Sequence, residues 1–348
     1  MPAYFDIHFI RQQAESVLVK YGLSQADAST LTDSMLRADM YGVNTHGIRM
    51  LPAYIEKLKK GAFFLGECRI CKQTPAFTLL DARNTVGAVC AVKAVQIAIT
   101  QAQQYGVHAV FSHHANTLGP GFYYVEKIAQ AHMLGLVCSN APAAMPAFNG
   151  LEALLGTNPL AFATPSKSYG NLLVDMASSV VAKSKFATAK EKGEKLQPGW
   201  ALDKEGNPTT DPQAALQGFV LPMAGFKGYG LALLIDILAG LLSGAGYLNK
   251  VGKFYSPTHA CMNVGHVIVA LNPALLYEGD YLAAMDQYIQ TLKNSKSVPG
   301  KHIILPGEDR NEHYIQAVQK GLSLPEQTVA KLEEIFQTPL RKQDPSHE

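Results

Sequence analysis

Residues 42–61 read GVNTHGIRMLPAYIEKLKKG, and both the fold and the chemistry are read outward from this stretch. Ile48, Leu51, Ile55 and Leu58 recur at helical spacing and form one apolar side, bordered by Tyr54. Pro52 suits a first turn, where its missing amide proton costs nothing. Gly61 is a stop, and Lys57, Lys59 and Lys60 suit the negative end of a helix. Thr45, His46 and Gly47 therefore sit at or just before a helix start, where a polar side chain can leave the backbone and face a cleft. An imidazole moves protons near neutral pH. His46 is thus a candidate acid–base group; from position alone, a capping or core histidine is the competing reading.

The 348 residues suffice for two lobes and a large core. An apolar content of 47% with 17% charged residues indicates a compact, soluble protein. A net charge of +2 gives no reason to expect nucleic acid or an acidic membrane as partner. The start, MPAYFDIHFIRQQ, lacks the long apolar run and small-residue cleavage site of a secretory signal. The most apolar region, 231–242, is interrupted by Asp236 and too short for a bilayer. Five cysteines, an odd number, suggest reduced thiols and a cytoplasmic location. Cys68 and Cys71 form a CxxC with no second pair at ligand spacing, so they read as strand residues and no metal is expected.

Residues 1–61 read as three helices, the second opened by a capping box of Ser24 and Asp27. Their apolar faces must be covered by another part of the chain or a second subunit. From about Pro75 the pattern alternates: strand 76–80, alanine-rich helix 89–105, strand 107–111, a loop from Ser112 to Gly121, helix 122–132 and strand 134–138. His113 and His114 fall in that loop. Such alternation implies an α/β architecture. Strands at 160–163 and 172–174 follow, then a charged helix to Lys195 and an exposed turn region at 198–212. Gly225 to Gly230 reads as a glycine-rich turn before a helix at 231–242, where amide donors and Lys227 suit a phosphate. A strand at 266–271 and a helix at 284–292 come next. Ser323 with Glu326 is read as the cap of a last helix, and residues 343–348 as a frayed end. The expected division is 1–70 with the C-terminal helices 310–348, against an α/β part at 71–309.

No P-loop, HExxH or GxSxG occurs, and no GxGxxG follows a strand. Any dinucleotide is therefore held by something other than an ordinary Rossmann turn. Seven segments, in order, resemble the malate/L-lactate dehydrogenase family that is distinct from the Rossmann-type enzymes: RADMYGVNTHGI (37–48), LPAYIEKLKKG (51–61), EALLGTNPLAFATP (152–165), VDMASSVVAKSK (174–185), GWALDKEGNPTTDPQAALQG (199–218), GFKGYGLALLIDILAGLLSGA (225–245) and LPGE (305–308). That family includes ureidoglycolate and sulfolactate dehydrogenases, diketogulonate reductase and a cyclic imine reductase.

The resemblance implies a mixed-sheet α/β fold of the sulfolactate dehydrogenase type with an N-terminal helical part, commonly a homodimer. It implies hydride transfer between NAD, or NADP, and a small 2-hydroxy/2-oxo acid. His46 in T-H-G matches the family's S-H-G histidine, the proton donor in the diketogulonate reductase branch. Cofactor contacts of relatives fall on Asp175 and Met176, on Phe226 and Lys227, and on Pro306, Gly307 and Glu308, with Asn140 near the nicotinamide. Asp175 is expected to hold the second nitrogen of a histidine or to contact the cofactor. Thr157, in the GTNP turn, joins Arg49 as a substrate candidate. Two departures stand out. The family's arginine after S-H-G is Met50 here, with Arg49 one position early, about 100° around a helix. The family's N-H-F-G histidine is Thr117, which stands at that catalytic position. These changes motivate two alternatives: a cofactor-binding paralogue with little activity, or a reductase of a cyclic imine or diketo acid.

Overall fold

The computed structural model describes residues 3–256 and 261–343; the expected frayed end lies outside them except for Gln343. At its centre is a seven-stranded sheet in the order Arg69–Gln73, Phe77–Asp81, Val107–Ala115, Val264–Leu271, Leu134–Ser139, Leu160–Pro165, Asn171–Met176. Only Phe77–Asp81 and Val107–Ala115 run parallel; every other pair is antiparallel. The sheet is therefore mixed, and no doubly wound nucleotide fold is present.

Small side chains set the layer spacing. Helix Gly87–Tyr105 buries Ala91, Ala94, Ala98 and Ala102 in the core shared with Leu80 and Val110 of the sheet. Helix Gly121–Gln130 contributes Phe122 and Tyr124, both fully buried, to the same core. On another core, Ile235 and Ala239 pack with Cys138 and Val267. That approach needs Gly265, because a Cβ there would lie 1.5 Å from the Ala239 carbonyl oxygen.

Helices Ile7–Lys20, Gln25–Met40 and Leu51–Lys59 form a separate apolar cluster with Leu332 and Phe336 of helix Glu326–Phe336 and Ala317 of helix Glu308–Lys320. Ile10, Leu18, Leu31, Leu36, Ile48 and Leu51 are fully buried there, each worth about 1.5–3 kcal/mol of transfer free energy. The N-terminal apolar faces are thus covered from within the chain. Ser24 forms its capping bond, accepting from the Asp27 amide at 3.1 Å, and Pro52 sits in the first turn of Leu51–Lys59.

Four local expectations need correction. Strand Val107–Ala115 runs through Ser112, His113 and His114, which were expected to lie in a loop. Ser112 pairs with both neighbours and His113 pairs with Asp81, which carries the strand through this polar run, while His114 falls at the irregularity opposite Val264–His266. Residues 198–212 are not simply an exposed turn: Ala201–Leu202, Pro208–Thr209 and Phe219–Val220 make a small sheet, with Ala201 and Val220 in a core around Phe186. Two-residue strands are too short to show a period. The glycine-rich segment is already helical, since helix Phe226–Ile235 starts five residues early and continues as a π-helical segment, Asp236–Leu242. Finally, Ser323 pairs with Tyr4 in a two-residue ladder and Pro325 takes the cap position, so Ser323 and Glu326 form no capping box. The CxxC reading also shifts: Cys71 lies exposed in strand Arg69–Gln73, while half-buried Cys68 precedes it.

Candidate active site

The segment that carries His46 is two short 3-10 turns, Asn44–His46 and Ile48–Met50, feeding helix Leu51–Lys59. Asp39, at the end of Gln25–Met40, fixes this segment. Its Oδ2 accepts a 2.6 Å hydrogen bond from the Ile48 amide. A Cβ at Gly47 would lie 1.9 Å from Asp39 Oδ1, so the chain can approach the carboxylate only as glycine. Burial raises the Asp39 pKa to about 7, against the opposing Ile48 amide and Arg49. Thr45 Oγ1 lies 3.1 Å from His46 Nδ1.

His46 opens on a cavity of about 270 Å³ that also takes in Thr117, Asn140, Thr157, Asp175, Met176 and Arg310. Seven chain segments meet here, several of them at strand ends of the central sheet. Burial lowers the His46 pKa, and the Asp175 carboxylate opposes that shift. The imidazole is therefore largely neutral at pH 7 and can take a proton.

Asp175 stands near the end of strand Asn171–Met176, at the start of helix Gly121–Gln130. The Phe122 amide donates to its Oδ2 at 3.0 Å, a charge well placed on a helix N-terminus. Burial raises its pKa, while Arg310, the Phe122 amide, His46 and the Gly121 amide work against that rise. Arg310 Nη2 donates to the Asp175 carbonyl oxygen at 2.9 Å, and its Nη1 lies 3.8 Å from Asp175 Oδ2. The guanidinium also lies over the Phe122 ring, 5.1 Å from its centroid. Its buried Nη1 has no hydrogen-bond partner among the described residues.

Other expected residues fall differently. Asn140 lines the cavity, but its amide is engaged internally: Nδ2 donates to the Gly246 carbonyl at 2.6 Å, and Oδ1 accepts from the Gly265 amide at 2.9 Å. The Thr157 carbonyl accepts from the Ser178 amide at 2.9 Å. The loop at Thr117 rests on helix Gly87–Tyr105, where a Cβ at Gly87 would meet the Thr117 carbonyl oxygen at 1.9 Å. Arg49 is a correction: it is exposed, interacts with Asp39 and does not line the cavity. Met50 is core, 7% exposed. Neither Arg49 nor Met50 reaches the cavity, so no arginine of this turn is available to a substrate there. His113 and His114 do not line the cavity either.

The remaining cofactor candidates lie outside that lining. Phe226 and Lys227 are exposed in the first turn of their helix, where amides lack intrahelical partners. Gly225 has φ +63° with open space at its Cβ position. This turn is tied to the strand end beyond Asp175, since the Met223 amide donates to the Ser178 carbonyl at 2.9 Å. A second cavity, of about 450 Å³, is lined by Val180, Pro222, Ala224 and Gly225. Residues 180–182 thus separate the two cavities. Pro306 and Gly307 abut Leu173, with the Leu173 amide donating to the Pro306 carbonyl at 3.3 Å. Glu308 is ion-paired with Lys293 and accepts from the Leu305 amide at 3.1 Å.

Sequence reading missed Arg310 and Asp39. Asp39 lies inside the quoted RADMYGVNTHGI, and its signal is a buried acid eight residues before a glycine it must touch. Arg310 follows LPGE by two residues, in a polar helix whose periodicity does not mark which face is buried.

The malate/L-lactate dehydrogenase family matches residues 5–333. A malate/(S)-sulfolactate dehydrogenase from Methanothermus fervidus is 33% identical over 93% of this chain and 96% of its own length. A ureidoglycolate dehydrogenase (NAD(+)) from Escherichia coli O157:H7 is 34% identical over 90% of both chains. The solved sulfolactate dehydrogenase from Methanocaldococcus jannaschii superposes with a TM-score of 0.90 at 32% identity, over 97% of this chain and 98% of that one. Relatives carry NAD(+) or NADP(+) in their names. A mixed sheet with a histidine, a carboxylate and an arginine at one crevice, matched end to end in sequence and shape, places this chain in the malate/L-lactate dehydrogenase family of NAD(P)-dependent oxidoreductases.

Proposed function

We propose that the protein interconverts a small 2-hydroxy acid and its 2-oxo acid, with NAD(H) or NADP(H) as hydride partner. The observation that carries this reading is the placement of His46, Asp175 and Arg310 around one cavity, with Arg310 Nη1 buried and without a hydrogen-bond partner among the described residues. When bound, the nicotinamide supplies or accepts the hydride. His46 takes the hydroxyl proton in oxidation and returns it to the nascent alkoxide in reduction, help worth about 100- to 10,000-fold. Asp175 stabilises the imidazolium formed on the way. Arg310 offers its free N–H to the substrate carboxylate, the task that the sequence could not assign once Arg49 was placed. An available carboxylate partner favours turnover over a binding-only paralogue, and a charged acid over an uncharged-end ketone.

The residues present also suit a dinucleotide. First-turn amides at Phe226 and Lys227 and the lysine charge fit phosphate oxygens, and residues 177–182 connect this turn to the His46 cavity. Met176, Pro306, Gly307 and Glu308 stand on or beside the same edge strand. Among the described residues no helix is long and apolar enough to cross a membrane. All five cysteines are free thiols, in keeping with a reducing, cytoplasmic setting.

The chain also presents a subunit face. Leu234, Ile237, Leu241 and Leu242 are 50–63% exposed on one continuous helix, an unusual cost for a monomer. A homodimer would cover it, and this helix replaces the N-terminal helices as its expected seam. Light scattering should give twice the chain mass, and Leu241→Glu half of that.

The deciding assay follows NADH or NADPH oxidation with pyruvate, oxaloacetate, sulfopyruvate, oxalurate and 2,3-diketogulonate. Turnover of at least one charged 2-oxo acid is expected. Cofactor binding by calorimetry without turnover on any of them would overturn the reading.

A further inference from the structure

The other histidine pair of the sequence lies near the end of the interior strand Val107–Ala115, with a carboxylate from the neighbouring strand. Asp81 closes strand Phe77–Asp81 and sits opposite His113 in the parallel pairing with Val107–Ala115. Adjacent strand residues ordinarily point to opposite faces. Here His114 has φ +52°, a left-handed conformation that is rare for a non-glycine residue, and the two rings come together at 4.3 Å between centroids. Three bonds hold His114 in that state. Its amide donates to Asn263 Oδ1 at 3.2 Å, and its carbonyl accepts from the Asn84 amide at 2.8 Å and from Cys261 Sγ at 3.6 Å.

The side chains converge on one point. Asp81 is 8% exposed, and its Oδ1 accepts from the Arg83 amide at 2.9 Å and lies 3.0 Å from His114 Nδ1. His113 Nδ1 is buried and has no hydrogen-bond partner among the described residues. One ligand atom from each of the three residues lies within 4.8 Å of the others. Bonds of about 2.0–2.2 Å to a shared ion then need only a small swing of the half-exposed His114 ring.

We propose that Asp81, His113 and His114 form a binding site for a divalent transition-metal ion, separate from the His46 cavity. Two imidazoles with one carboxylate suit zinc, nickel, cobalt or copper, and not magnesium or calcium. Water completes the coordination. Arg69, whose Nη2 lies 3.2 Å from Asp81 Oδ2, is the group that a cation displaces; its side chain is 69% exposed and can turn to solvent. A bound ion would pin the edge hairpin at Arg69–Gln73 and Phe77–Asp81 to strand Val107–Ala115, and so stabilise the fold by mass action.

The full-length protein, stripped with a chelator, is titrated with zinc by calorimetry and with copper by electron paramagnetic resonance. One zinc per chain, a raised Tm and a two-nitrogen copper signature are expected. His113→Gln with His114→Asn, the asparagine chosen because it tolerates positive φ, should weaken zinc binding roughly 100-fold or more and remove the signature. A folded double variant that titrates like the wild type, or a wild type that binds no zinc, overturns the proposal. If the double variant does not fold, Arg69→Ala decides: removal of the competing cation should tighten zinc binding several-fold, and a failure to tighten overturns it.

Discussion

His46 with Asp175 and His114 with Asp81 are the same pair of residue types in opposite surroundings. The first pair faces a cavity, on irregular 3-10 backbone, with an arginine beside the carboxylate and helix amides on it. The second lies at an irregularity near the end of an interior strand, with a second imidazole beside it and direct contact between ring and carboxylate. In the first, helix amides and Arg310 satisfy the carboxylate, which leaves the imidazole free to exchange its proton with a bound molecule. In the second, ring and carboxylate engage each other directly, and none of the three residues lines the His46 cavity. His108 is a third case: it is fully buried, with Nε2 2.9 Å from Thr78 Oγ1 and Nδ1 3.0 Å from the Pro75 carbonyl, and structural only. Residue type decides little; what the other ring nitrogen and the carboxylate already hold decides the role.

That contrast can be broken most sharply at His46. His46→Ala should lower kcat by about 100- to 10,000-fold while leaving the zinc titration at Asp81, His113 and His114 intact. Full turnover by His46→Ala, seen in the NADH assay, would remove the distinction between the two pairs. Next in size is Arg310→Lys, which keeps the charge but loses the fork. It should raise KM for the 2-oxo acid roughly tenfold or more, with kcat reduced less, since a bond to a charged group is typically worth about 1.5–3 kcal/mol. An equal loss in kcat would instead assign Arg310 to holding Asp175.

Asp175→Asn tests the electrostatic half of the comparison. The carboxylate raises the His46 pKa against burial, so its removal lets that pKa fall further. The acidic limb of kcat/KM for hydroxy-acid oxidation should then move to lower pH, and activity in the reductive direction should fade earlier as pH rises. A limb that stays in place would show that the two residues are uncoupled. The smallest effect is expected at Asp39, whose native pKa of about 7 stands above the usual aspartate value near 3.9. A raised carboxyl pKa means that the native state binds the extra proton, so stability should fall as pH rises between about 4 and 7. Asp39→Asn should flatten that slope by a few degrees in Tm, read by calorimetry at pH 5 and pH 8.

Much of this molecule is legible in its sequence. Pro52, the Ser24 cap and the alanine-rich helix Gly87–Tyr105 are local signals, set by neighbours within a turn, and they give helices close to where the sequence places them. His46, Thr117, Asn140, Thr157, Asp175 and Met176, singled out in the sequence, line one cavity. The failures share a cause. Ser112–Ala115 is strand because of partners at residues 77–81 and 264–271, and no window along the chain contains them. Arg310 reaches Asp175 across more than a hundred residues, from a helix whose sequence is polar almost throughout. Arg49 was misplaced because a one-residue offset on a tight turn changes the face, which spacing alone cannot resolve when two 3-10 turns interrupt the helix.

Gly87 sets the position of the Thr117 loop. The alanine-rich helix begins with its backbone pressed on the Thr117 carbonyl, leaving no room for even a methyl group. The reaction chamber therefore has one wall propped from behind by the butt of a long rod on the opposite side of the loop. A side chain at that one point, remote from every reacting atom, would push the wall inward and narrow the space left for substrate.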